Sequence, residues 1–223
     1  MNLIDLRQRT LKRLAQDPVS PVYWTTAEVD AALNRGQRLF ALITLCLESI
    51  VTYPLTPGTA FYHMLATYPD WLQPLRVSLG GLKVRPADID ELDARDDVWE
   101  ASVAATTEYG CLGMDLFYVR GTTGTLEIAY ARMPALMVGD NDPCEIIDAS
   151  QPCLIDYAIA RLRAKQGGQE FTKARPYFQR FLSATRAAAK DTMERSIRAG
   201  HDRQPFELKR IDPKALLALE ASK

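Results

Sequence analysis

Two histidines, four cysteines and a dense run of carboxylates are the residues of this chain whose chemistry could be put to use. His63 falls in a β-like stretch and His201 near the end, and neither has a cysteine or carboxylate at ligand spacing. Neither a metal centre nor a Cys-His nucleophile pair is therefore predicted. Cys46, Cys111, Cys144 and Cys153 show no CxxC spacing and no neighbouring histidine. They read as reduced, partly buried thiols of a cytosolic product. Asp88, Asp90, Glu91, Asp93, Asp96 and Asp97 form the carboxylate run. A calcium loop needs alternating acids around a central glycine and a closing glutamate, which this run lacks, so it reads as an exposed acidic rim. Gly121-Thr122-Thr123-Gly124 is too short for a phosphate loop, has no following lysine, and reads as a hairpin turn. No catalytic residue, metal or cofactor is expected.

Charge is unevenly distributed. The chain has 223 residues and a net charge of −1. Residues 1–85 carry +3, residues 86–148 carry −11, and residues 149–223 carry +7. Such blocks describe either solvated faces or acidic and basic ends that meet different neighbours. Hydrophobic content of 47% and charged content of 25% are those of a soluble globular protein. No apolar run is long enough for a membrane span. Charges at Asp5, Arg7, Arg9, Lys12 and Arg13 interrupt the apolar core that a signal peptide needs.

The elements that must position these residues can be read from periodicity. Residues 3–16 form a first helix with Leu3, Leu6, Thr10 and Leu14 on one face, stopped by Asp17-Pro18-Val19-Ser20-Pro21. A second helix starts at Thr25 or Thr26, where Thr25 and Glu28 have capping-box spacing, and carries the stripe Val29, Ala32, Leu33, Gly36, Phe40, Ile43, Leu47. From Ser49 the texture turns β-branched and aromatic. Strands are predicted at 49–53, 60–65, 72–77, around Tyr109, at 116–120 and at 126–130, with a Gly80-Gly81 hairpin and a short helix over 86–93 that has Pro86 at its first position. Helix returns at Pro152, with Leu154, Ile155, Ala158, Ile159 and Leu162 buried, and Gly167-Gly168 closes it. A long helix spans 171–199, kinked or begun by Pro176.

The predicted fold class is α+β, mainly α, with a four-helix bundle core, a β-rich insertion between helices 2 and 3, and an extended C-terminal tail. Residues 1–47 and 134–199 are the expected helical core, 48–133 the insertion, and 200–223 the tail.

This layout resembles the head-to-tail adaptor, or connector, proteins of tailed bacteriophages. Three motifs carry the resemblance: Tyr23-Trp24-Thr25-Thr26-Ala27-Glu28-Val29-Asp30-Ala31-Ala32-Leu33-Asn34 with Gln37-Arg38; Ile128-Ala129-Tyr130-Ala131-Arg132-Met133-Pro134 leading to Asp148; and Leu154-Ile155-Asp156-Tyr157-Ala158 followed by Tyr177-Phe178-Gln179-Arg180-Phe181. The resemblance implies a virion protein of the head-tail interface, made in the host cytoplasm, without a catalytic site. It implies a homo-oligomeric ring, usually a dodecamer, that binds beneath the portal protein and meets a downstream tail, stopper or nozzle protein. Double-stranded DNA would pass through the ring without sequence-specific binding, and no membrane partner is implied. The portal-docking segment of the family corresponds here to the basic stretch with Arg195, Arg198, Arg203, Phe206, Leu208, Lys209, Arg210 and Lys214. The acidic run would line the lumen or face the tail, where like charge keeps DNA from sticking.

Two other classes remain open at this stage. A DNA-binding or genome-packaging accessory protein would use the first two helices as a loose helix-turn-helix, with Arg161, Arg163, Lys165, Lys173 and Arg175 on phosphates. The overall acidity of the chain argues against tight duplex binding. A small enzyme would need a converged site, and the sequence offers none.

Overall fold

The computed structural model describes residues 1–101, 107–121 and 124–199. The tail, with His201, and the turn residues Thr122 and Thr123 lie outside the described residues. The elements in chain order are α1 (Leu3–Arg13), α2 (Thr26–Thr44), β1 (Glu48–Pro54), β2 (Phe61–His63), α3 (Met64–Thr67), β3 (Trp71–Leu79), β4 (Leu82–Lys83), β5 (Arg85–Pro86), α4 (Ile89–Arg95), β6 (Glu108–Leu112), β7 (Leu116–Arg120), β8 (Thr125–Arg132), α5 (Gln151–Gln166) and α6 (Gly168–Ala199).

Two compact units share the chain. The first is built from Met1–Cys46 and Pro134–Thr192, the second from Leu47–Met133 together with the end of α6 from Met193. The mainly-α four-helix bundle expected from the sequence is not the architecture. Among the described residues the fold is α+β, with six helices and two four-stranded sheets. Two physical reasons account for the difference. The strands enclose an aromatic core of their own, so they are more than a projection held out by helices. The helices also differ too much in length to form a closed bundle. At 1.5 Å per residue, α1 spans about 16 Å and α6 about 48 Å.

In the helical unit α1, α2 and α5 pack against one another. Both N-terminal helices begin with capping boxes. Thr25, rather than Thr26, caps α2: its Oγ accepts the Glu28 N–H at 3.2 Å, and Glu28 Oε2 accepts the Thr25 N–H at 3.1 Å. Asn2 and Asp5 do the same for α1. The stripe of α2 is buried from Val29 to Ile43, but the helix stops at Thr44 because Leu45 takes a left-handed conformation (φ 52°). Leu47 therefore belongs to the next unit. At Gly36 α2 lies close against α5, since a Cβ there would lie 2.7 Å from Tyr157 Cδ1. Tyr157 packs in turn on Phe181 (centroids 4.9 Å apart) and Phe178 (6.2 Å), which seats α6 on α5. Pro176 lies within α6 at an exposed position, so the carbonyl of exposed Thr172 that loses its donor faces water.

The strand unit holds sheets of order β1-β8-β3-β4 and β2-β7-β6-β5. All pairings are antiparallel except β5 with β6. Trp71, Val77, Leu126, Ile128 and Tyr130 of the first sheet share one core with Tyr62, Tyr109, Phe117 and Val119 of the second. Trp71 stacks on Tyr130 at 4.7 Å. The second sheet is covered on its other side as well, where Tyr118 packs with Leu92 and Trp99. Pro86 stands in β5 rather than opening the short helix, which begins at Ile89 after Asp88. Residues 64–67, where a strand end was expected, make the single turn α3.

Gly36→Ala should destabilise the helical unit by about 1–3 kcal/mol, because the added methyl meets a packed ring. Thermal unfolding followed by circular dichroism checks this. Combining it with Tyr157→Leu should restore part of the loss, as expected for two groups in contact.

Candidate interaction surface

Between β8 and α5 runs a link of 18 residues, 133–150, with neither helix nor strand. Such a segment needs its backbone groups satisfied from elsewhere. Backbone bonds with Met1, Leu3 and Ile4 do part of this, and two side chains of α2 do more. Asn34 grips Met137 from both sides: its Nδ2 donates to Met137 O at 2.9 Å, and its Oδ1 accepts Met137 N–H at 2.8 Å. Gln37, fully buried, donates to Ala135 O at 2.9 Å and accepts the Glu145 N–H at 3.3 Å. Arg7 of α1 adds a forked pair to Asp30 (2.7 and 2.8 Å) and a third bond to Asp140 at 2.7 Å. Asp142 turns the link on itself, its carboxylate accepting the N–H groups of Val138 (2.7 Å) and Gly139 (2.8 Å). The Gly139 and Val138 bonds hold that carboxyl below its ordinary range. At the far end buried Gln151 donates to Ile146 O at 2.7 Å. Met137, Cys144 and Ile146 point inward, while Leu136 (56% exposed), Val138 (82%) and Ile147 (47%) point outward. An irregular loop is thus held rigidly with apolar side chains on its outer side, the disposition of a contact surface.

These clamps involve residues of the resemblance motifs. Asn34 and Gln37 belong to the first, and the link they hold follows the second. Asp156 of the third accepts from Arg13 (3.2 Å) and Arg180 (3.1 Å), tying α5 to α1 and α6. Residues of the first and third motifs are joints of the helical unit, which spacing alone does not reveal.

The acidic run is only partly an open rim. Glu91 is engaged by Arg85 (2.7 Å) and by Arg95. Asp93 accepts the Trp99 indole N–H at 2.7 Å. Asp96 accepts from Arg120 at 3.1 Å and from the Val98 N–H at 3.2 Å. Asp88, Asp90 and Asp97 are exposed and make no side-chain bond among the described residues. Sequence reading missed the hub of this network. Glu108, 2% exposed, sits on β6 directly opposite Arg120 on β7 and meets Arg95 at 2.6 Å and Arg120 at 3.2 Å. Burial pushes its carboxyl up, but the bonds to the two guanidiniums outweigh this and leave it below the ordinary range. A lone Glu far from the run gives no periodic signal, since only strand pairing brings it beside Arg120.

Of the basic candidates, Arg195 and Arg198 lie at exposed positions of α6. Arg203, Phe206, Leu208, Lys209, Arg210 and Lys214 lie outside the described residues. His63 Nδ1 is 2.8 Å from Asp115 Oδ2, an exposed pair formed across β2 and the turn before β7. None of the four cysteines forms a disulfide among the described residues, and burial pushes the Cys111 and Cys153 thiols up to about 12, which favours the protonated thiol at neutral pH. Among the described residues no group of three or more His, Cys, Asp or Glu could hold a metal, and no helix is long and apolar enough to cross a membrane.

The link is braced by amide clamps and ion pairs, with apolar side chains turned outward. A family model described as SU10 adaptor protein matches residues 1–204, and the chain belongs to that family: it is a phage structural adaptor-type protein. No curated protein matches the chain.

Asn34→Ala should free the link. Amide exchange at 135–145 should accelerate, measured by mass spectrometry, with a stability loss of about 1–3 kcal/mol for the unmet groups of Met137. Glu108→Gln should cost the strand unit about 2 kcal/mol at neutral pH, because it leaves two guanidiniums without their shared anion. The native Glu108 carboxyl titrates below its unfolded value. Its stabilisation is therefore complete above about pH 4.3 and lost as the pH falls through the lower native value. Melting curves from neutral to acid pH should show a steeper acid decline for wild type than for the Gln variant.

Proposed function

We propose that this chain is a head-to-tail adaptor of a tailed phage, resident in the virion at the head-tail interface. Copies of it form a ring beneath the portal protein and extend the DNA channel toward a downstream stopper, nozzle or tail protein. The observation that carries this reading is the adaptor-family match across residues 1–204, which takes in both the helical and the strand-built units. The braced link supports it, because a stacked ring needs rigid, outward-facing contact surfaces. Charge segregation supports it too: the acidic middle and basic end suit a molecule with two different neighbours. A contact that is not self-complementary and whose rotation closes generates such a ring, with a dodecamer as the family's usual outcome.

Within this reading Asp88, Asp90 and Asp97 face the channel or the tail. Their negative charge lets DNA slide without sequence-specific binding. Glu91, Asp93 and Asp96 serve mainly to hold their own unit together. The basic end of the chain docks on an acidic portal surface through Arg195, Arg198, Arg203, Lys209, Arg210 and Lys214, with Phe206 and Leu208 as apolar anchors.

Removing residues 201–223 should abolish binding to purified portal while leaving the circular-dichroism melt of the remainder unchanged. Wild-type binding should weaken as salt rises. Undiminished portal binding by the shortened chain would overturn the assignment of the end segment. Electron microscopy of the full chain with portal, showing no ring, would overturn the adaptor reading.

A further inference from the structure

The helical unit has a second braced segment besides the link. Residues 14–25 join α1 to α2 without helix or strand. Pro18 and Pro21 stiffen this loop by fixing their own φ angles. Gln16 Oε1 accepts the N–H groups of Tyr23 (3.3 Å) and Trp24 (3.2 Å), and Asp17 Oδ1 accepts the Val19 N–H at 2.9 Å. Trp24 is buried, and Tyr23 stands edge-on to it at 4.9 Å. The backbone is therefore pinned, while Val19 (89% exposed), Val22 (97%) and the Tyr23 ring project into water. Single exposed hydrophobes are ordinary, but three within five residues of a fixed loop form an apolar knob.

The same unit holds a groove of about 890 Å³. Its walls are the link at Ile147, the start of α5 at Pro152 and Cys153, and α6 at Ala184, Ala187 and Ala188. The alanines keep the α6 wall low, and Ile147 makes the groove continuous with the outward apolar side of the link. Inside it Asp156 is met by Arg13 and Arg180. Its rim is acidic: Asp191 lines it at an exposed position, and Asp148 beside Ile147 stays exposed even with the Met1 ammonium 3.6 Å away. The knob is flanked by the opposite sign. Arg9 and Lys12, on the last turns of α1 before the loop, are exposed and make no side-chain bond among the described residues. Knob and groove do not meet within one copy. Val19 and Val22 touch almost nothing of their own chain, and no residue of the loop lines the groove. The loop leads into α2, where Glu28 bonds Lys165 in the last turn of α5, whereas Cys153 of the groove lies about 18 Å back along that helix.

We infer that the Val19–Tyr23 knob of one copy seats in the α5–α6 groove of the next, and that this head-to-tail contact joins neighbouring copies of the ring. The inference deepens the ring reading and rests on it. Apolar side chains meet apolar walls, and Arg9 and Lys12 come to face the acidic rim at Asp148 and Asp191, so charge complementarity fixes which patch meets which. Two dissimilar patches on one unit make the contact heterologous. Each copy then gives a knob to one neighbour and a groove to the other, and the series continues until it closes.

Paired cysteines test it directly. Val22→Cys together with Ala187→Cys in the full chain puts one thiol on the knob and one in the groove, both at exposed positions. Oxidised on purified portal, this chain should give a ladder of disulfide-linked oligomers that runs past the dimer, while either cysteine alone gives none. Val22→Glu and Ala187→Glu each place a hydrated charge in the contact. Electron microscopy should show at least about tenfold fewer closed rings for both, with thermal unfolding and portal binding unchanged. Should Ala187→Glu disturb α6, Val22→Glu and the ladder still decide the matter. Closed rings without a ladder, a ladder that stops at the dimer, or full ring formation by Val22→Glu overturns the inference and leaves the adaptor reading intact. A ladder from the concentrated free chain, with no ring on portal, keeps the contact and removes the adaptor reading. Neither ladder nor ring removes both.

Discussion

Two amides on one helix hold the first unit together. The chain leaves the helical unit after Cys46 and returns at Pro134, and the returning segment has no helix or strand with which to satisfy its backbone. Beside backbone bonds to the first residues of the chain, Asn34 and Gln37 provide side-chain partners from α2, one by gripping a single residue from both sides and the other by bridging ten positions. The placement of α5 follows from this, because the held link leads directly into it. The salt link from Arg7 to Asp30 and Asp140 then binds α1 to the same place. The outward side chains of the link are presented rigidly for the same reason: their neighbours in sequence are tied down.

The strand unit uses a different device. Its core is aromatic and apolar, but one carboxylate is buried within it. Glu108 is tolerable there because two guanidiniums, brought from α4 and β7, meet both of its oxygens. The same arginines also reach Glu91 and Asp96, so much of the acidic run becomes internal structure. What remains exposed is a smaller set of carboxylates than the sequence displays. On the proposed adaptor reading, the distinction matters. Only the unengaged acids contribute fully to the field a passing polyanion would meet.

Much of the local structure was legible in the residues. The capping box at Thr25 and Glu28, the buried stripe of α2 up to Ile43, the Gly80-Gly81 hairpin, and the inward face of α5 all follow from short-range rules that need no knowledge of the rest of the chain. The errors arose at boundaries and closures. Leu45 ends α2 early by a backbone conformation that apolar periodicity does not encode. Pro86 was absorbed by a two-residue parallel strand instead of starting a helix. The four-helix bundle failed because helix count is readable from periodicity, whereas the matching of lengths and faces is not.

Sequence by itself determined which stretches favour helix or strand, which faces are apolar, how charge is divided along the chain, and the likeness to adaptor proteins. Tertiary structure decided which polar side chains act as joints. Asn34 meets Met137 across 103 positions and Gln37 meets Glu145 across 108, and no periodic pattern links residues that far apart. It also decided that Glu108 is buried, since that depends on which strands become neighbours. Local propensity acts over a few residues through the backbone. Burial and pairing are set by the whole chain, when distant segments compete for the same space and the same hydrogen bonds.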